Sequence, residues 1–161
     1  MPISAAVDSG TRAGASLVCR QATLRLAVPL AHVLETLRPL PVETLPGMPP
    51  FVRGVSVVRG APVPVVEAAA LLGVVGGPLA TRWVMLRAGD HRLALAVEAV
   101  VGVLDLAPDR SAPLPPLLGS GSADVVAAIG VLDADLLVVL RAASLLSDAD
   151  WRALAGRRLE A

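Results

Sequence analysis

Apolar and polar positions alternate along this chain in short stretches, each broken after a few residues. Val18, Ala22, Leu24, Leu26 and Val28 fall on one side of a period-two pattern, with Cys19, Gln21, Thr23 and Arg25 on the other, which predicts a strand. Further strands are expected in joined pairs. Trp83 to Arg87 and Leu93 to Val97 flank Ala88-Gly89-Asp90-His91. Val55 to Val58 and Val63 to Val66 flank Arg59-Gly60-Ala61-Pro62. Val131-Leu132 and Leu136 to Leu140 flank Asp133-Ala134-Asp135. Ala68 to Leu72 and Ala142 to Leu146 read as single helical turns. Short strands at this spacing predict small barrels. After them, Ser147 and Asp150 have the spacing of a capping box, Trp151 and Leu154 lie on one helical face, and Arg157 and Arg158 suit the negative end of the dipole. A short docking helix is expected there.

The pattern repeats. Arg25-Leu26-Ala27-Val28 and the residues to Leu37 match Arg92-Leu93-Ala94-Leu95 and the residues to Leu104 at an offset of 67; Val65 to Leu72 match Val139 to Leu146 at an offset of 74. A Pro-rich connector lies inside each half, Pro39 to Pro50 in the first and Pro108 to Pro116 in the second, where Gly119-Ser120-Gly121-Ser122 reads as a flexible loop. Residues 1–15 are expected to form a flexible tail, 16–146 one domain of two lobes, and 147–161 the helix.

Composition narrows the function classes. The hydrophobic fraction is 55% and mean hydropathy +0.69, carried almost wholly by Ala, Val and Leu. Arginine alone supplies the 14 positive charges, which balance 14 carboxylates; with so few aromatics, a nucleic-acid binder is not expected. Between Arg59 and Arg82 the only charge is Glu67, but prolines and glycines break the stretch, so no membrane insertion is expected. The N-terminus lacks the apolar run of a secretory signal, and a cytoplasmic protein is expected.

Catalytic chemistry lacks its parts. Cys19, His32 and His91 are far apart in sequence without paired metal-ligand spacing, no serine sits in a nucleophile elbow, and Gly73 to Gly77 matches no phosphate-binding loop. No enzyme activity, cofactor or metal is expected. Cys19 reads as a half-buried strand residue, His32 and His91 as ordinary surface or edge histidines, and Trp83 and Trp151 as core or docking side chains.

Residues 26–72, LAVPLAHVLETLRPLPVETLPGMPPFVRGVSVVRGAPVPVVEAAALL, resemble the centre of CheW-like domains. The resemblance runs through Val33-Leu34-Glu35, the Pro-rich connector, Val52-Arg53-Gly54-Val55, the Arg59-Gly60 turn and Pro64-Val65, and resumes over GDHRLALAVEAVVGVLDL, residues 89–106. It implies an all-β fold of two SH3-like five-stranded barrel lobes sharing a hydrophobic core, with a short C-terminal helix. It also implies a non-catalytic adaptor that bridges the cytoplasmic tip of chemoreceptors to the regulatory domain of a CheA-type histidine kinase. Arg59, Glu35, Val33 and Gly60 are the partner-binding residues it points to. Three positions depart from the family pattern: Val57 replaces an expected Asn, Glu67-Ala68-Ala69 replaces Asp-Leu-Arg, and Asp133-Ala134-Asp135 lacks the usual Gly. A diverged adaptor of a pilus, gliding or gene-regulatory pathway is therefore an alternative, as is a small ligand-binding barrel.

Overall fold

A computed structural model describes residues 14–106, 111–113 and 125–156. Residues 1–13 of the expected 1–15 tail, the Gly119-Ser120-Gly121-Ser122 loop, most of the second connector and Arg157-Arg158 lie outside the described residues, while Ala15, expected in the tail, already belongs to the first strand.

The expected strand over residues 18–28 is a hairpin instead. Strand β1 (Ala15–Gln21) turns at Ala22-Thr23 into β2 (Leu24–Pro29), with Ala22 in the left-handed region at φ 57°. The period-two reading fails because both faces of these strands are buried; Cys19, expected half-buried, is 0% exposed. The remaining strands are β3 (Val33–Leu37), β4 (Val52–Val58), β5 (Ala61–Glu67), β6 (Arg82–Ala88), β7 (His91–Val97), β8 (Ala99–Asp105), β9 (Ser111–Pro113), β10 (Val126–Leu132) and β11 (Asp135–Leu140). Helical turns follow β5 (α1, Ala68–Leu71) and β11 (Ala142–Ser144), as the repeat requires.

These strands form two sheets, in the orders β8-β1-β2-β11-β10-β9 and β3-β6-β7-β5-β4. The lobes are therefore not the two halves of the sequence. Each half gives its first hairpin, β1–β2 or β6–β7, to the barrel built from the other half's later strands. The pairing registers carry the duplication to single residues. Parallel β5 and β7 align Val65 with Ala94, and parallel β11 and β2 align Val139 with Ala27, the same positions at offsets 74 and 67. Bulges repeat as well: Leu34 is skipped in the β3–β6 ladder and Val101 in β1–β8.

Each barrel then closes on itself. Residues after β3 reach β4 through Glu43, whose amide donates to Val55 O (2.8 Å) and whose carbonyl accepts from Val55 N (2.9 Å). The three-residue β9 is the counterpart of this bridge against β10, which is why that sheet counts six strands. Gly54 makes the first closure possible: its φ is +154°, and a Cβ there would lie 2.2 Å from Glu43 O.

Alternation now explains the core. One face of each strand fills its own barrel, with Val58, Val63, Val65, Trp83, Met85, Ala94 and Ala96 in the first and Val18, Ala27, Leu106, Leu132 and Leu137 in the second. The other face supplies a shared core between the lobes, including Cys19, Leu26, Val84, Leu86, Leu93, Leu95 and Leu140. Burial pushes the Cys19 thiol up to about 12, so it stays protonated and unreactive.

Helix α2 (Asp148–Gly156) begins with the expected capping box: Ser147 N donates to Asp150 Oδ2 and Asp150 N to Ser147 Oγ, both at 3.0 Å. Trp151 docks the helix by stacking on His91, with centroids 4.1 Å apart and planes 12° off parallel. His91 is thus the first residue of β7 and half of an aromatic contact, not a turn residue. The joint between lobes is held at Glu98, between β7 and β8. Its carboxylate accepts from Ala22 N (2.9 Å) and Arg20 Nε (3.3 Å), and its amide donates to the buried Gln21 side chain (3.0 Å).

Candidate functional site

The β4–β5 turn presents Arg59 and Gly60, with φ values of 52° and 81°. Two consecutive left-handed residues make a tight turn whose twist matches a hairpin. Glycine takes this conformation freely; Arg59 adopts it at some cost, which places its side chain at the barrel rim.

There it meets Glu35. Arg59 Nε donates to Glu35 Oε2 at 2.7 Å and a terminal guanidinium nitrogen donates to Oε1 at 2.6 Å, the planar fork gripping both oxygens. Strands β3 and β4 are the two edges of their sheet, so this ion pair ties one edge to the other. It stays within one lobe and does not bridge the two lobes. The Arg59 side chain is 69% exposed and that of Glu35 30%. The sequence singles out both residues; their mutual contact becomes visible only when the barrel closes.

Gly60 has nothing near its missing Cβ, so its contribution is the turn. Val33 is half-buried and packs on the shared core, a structural position beside the site. Exposed apolar side chains flank the ion pair: Val57, where the family pattern has Asn, is 68% exposed, and Leu34 sits on the β3 bulge. Arg92 is a residue the sequence reading passes over. It lies at the start of β7, close enough to act on the Glu35 charge.

The Arg59 hydrogen bonds, and the charges of Arg59 and Arg92, hold the Glu35 carboxyl below its ordinary value of 4.5, against a smaller opposing effect of desolvation. Glu35 in turn pushes Arg59 higher. A carboxylate with a depressed folded value stabilises the fold above its unfolded value and loses that contribution as pH falls through the folded one. The Arg59–Glu35 contact should therefore survive at pH 5 and break only in more acidic solution. A carbon-detected NMR titration of the Glu35 carboxyl should give a midpoint below 4.5, moving upward in Arg59→Ala; a wild-type midpoint at or above that value would contradict the geometry.

Among the described residues, no group of three or more His, Cys, Asp or Glu is placed to hold a metal, and no helix is long and apolar enough to cross a membrane. An open cleft at the seam of the lobes, about 560 Å³, is lined by Arg38, Pro39, Thr81, Arg82, Ala99 and Val100.

The sequence profile of the CheW-like domain matches residues 15–150, which span both barrels and the first turn of α2. The chain belongs to the CheW-like domain family. Among solved structures, the CheW-like chain is similar to the scaffolding protein TtCheW from Thermoanaerobacter tengcongensis, with TM-score 0.72 and 19% identity over 85% of this chain and 94% of that one. No curated protein matches by sequence. The two-lobed fold expected from the resemblance is thus the fold observed. In the CheW-like frame, Arg59, Gly60 and Glu35 converge on one barrel rim, with Val33 at its inner margin.

Proposed function

We propose that this chain is a non-catalytic adaptor that couples the cytoplasmic tips of chemoreceptors to the regulatory domain of a CheA-type histidine kinase. Family membership supports an adaptor in general. The observation that carries the specific reading is the Arg59–Glu35 pair: a guanidinium raised on a tight turn, oriented by a carboxylate, and left two-thirds exposed between Val57 and Leu34. Rigid, oriented arginine beside exposed apolar surface is the composition of a protein-binding hot spot. The alternative of a ligand-binding barrel finds little support, because both barrel interiors are filled by their own side chains.

The reading is tested by calorimetry with the purified kinase regulatory domain and a receptor-tip fragment from the same organism. The wild-type chain should bind at least one of them. Arg59→Ala should lose at least tenfold in affinity while its thermal midpoint stays within a few degrees, since an exposed ion pair adds little to stability. Absence of binding to both partners would remove the coupling role. Unchanged affinity of the variant would confine Arg59 to closing the barrel.

A further inference from the structure

The duplicated architecture makes each lobe a control for the other. In the β1–β2 hairpin, Arg20 and Arg25 are directly opposed; at an offset of 67, Arg87 and Arg92 are directly opposed in β6–β7. Like charges facing each other across a ladder repel, with side chains about 5 Å apart at their roots. The first pair is neutralised within the chain: Arg20 meets Glu98 at 3.3 Å and Arg25 meets Asp135 at 3.0 Å. The positions equivalent to those carboxylates in the other lobe are Ala31 and Ala61. Arg87 and Arg92 are exposed, and neither has a hydrogen bond or ion pair among the described residues.

Strand alternation fixes where the uncompensated pair lies. Arg87 is on the same face of β6 as Met85, and Arg92 on the same face of β7 as Ala94; both neighbours fill the barrel interior. The two arginines therefore stand at the end of that barrel, and Arg92 acts on Glu35, whose oxygens are both held by Arg59. Two guanidiniums, Arg59 and Arg92, act on one carboxylate at this rim, and Arg87 stands directly across the ladder from Arg92.

We infer that Arg87 and Arg92 receive two carboxylates from the partner protein that meets the Arg59–Glu35 face, in the places that Glu98 and Asp135 occupy in the sister lobe. The inference rests on the adaptor reading and adds the chemistry of its partner: an acidic surface with two side chains spaced for a cross-strand arginine pair. Arg87 and Arg92 are the specificity-determining residues, because an uncharged or basic surface would leave them facing each other unrelieved.

The test uses the full chain, the same kinase domain and receptor-tip fragment, and two double variants. Arg87→Ala/Arg92→Ala removes the cations. Ala31→Glu/Ala61→Asp keeps them and supplies carboxylates from within, copying the sister lobe. Both should bind the partner at least tenfold more weakly, with a flatter dependence on salt than wild type. The second should also melt at a higher temperature than wild type, an effect that loss of folding could not mimic. If wild type binds and both variants bind equally well with the same salt dependence, the inference is overturned while the adaptor reading stands. If wild type binds neither partner, both fall together.

Discussion

A chain carrying Gly54→Val should fail to close its β3–β7 barrel. A Cβ at this position would meet the Glu43 carbonyl oxygen at 2.2 Å and its carbon at 2.8 Å, and these are backbone atoms that cannot rotate aside. The φ of +154° adds conformational strain for any residue with a side chain, more so for a β-branched one. Relief requires the segment around Glu43 to move off β4, which breaks both hydrogen bonds of the Glu43–Val55 bridge and draws Pro41 away from Ser56, whose hydroxyl donates to its carbonyl at 2.7 Å. Overpacking and strain together amount to about 3–5 kcal/mol, a large part of the stability of a domain this size. The sister barrel supplies the control. Its equivalent position is Ala128, so Ala128→Gly should cost only about 1 kcal/mol. Chemical denaturation of the two variants should separate them clearly; equal midpoints would show that closure at Glu43 is dispensable.

Leu95→Ala should produce the second large effect, and should produce it in both lobes at once. Leu95 is fully buried in β7, on the face that supplies the shared core. Truncation removes apolar contact and leaves a cavity, at a cost of about 2–5 kcal/mol. For a chain of this length that corresponds to a fall in melting temperature of roughly 5–15 °C. The core is common, so the variant should still unfold in a single transition, with the near-ultraviolet signal of Trp83 and Trp151 and the far-ultraviolet signal of the strands of both lobes lost together. Two separate transitions would show that the barrels are independent units.

The sequence allowed much of this to be read, though unevenly. The repeat was visible in Arg25 to Leu37 and in Val65 to Leu72, and the registers place those very residues in equivalent pairs. The exchange of hairpins was not visible, because alternation tells a strand which face to bury but not which strand to join. The Ala22-Thr23 turn was missed because it contains no Gly, Asn or Asp, the residues that ordinarily mark a left-handed position; its counterpart in the second half is Gly89-Asp90. At the site, Arg59 and Glu35 were each singled out, while their contact depended on closure by residues 41–43. Arg87 and Arg92 carried a signal that was available: the same offset that aligns Arg25 with Arg92 aligns Arg20 with Arg87. What gives them meaning is the absence of carboxylates at Ala31 and Ala61, which only the folded sister lobe reveals.

The interlaced hairpins have a mechanical consequence. Two barrels merely resting on each other could open like a book, and the separation of whatever they held would vary. Here the chain crosses between the barrels twice, from β2 to β3 and from β7 to β8, and the two share one buried core, so opening the seam means exposing that core and pulling Glu98 away from Arg20, Gln21 and Ala22. The angle between the two barrel ends is thus set by the shared core and the Glu98 joint. On the adaptor reading proposed above, a molecule built this way is a set-square, suited to hold its two neighbours at one fixed spacing and orientation.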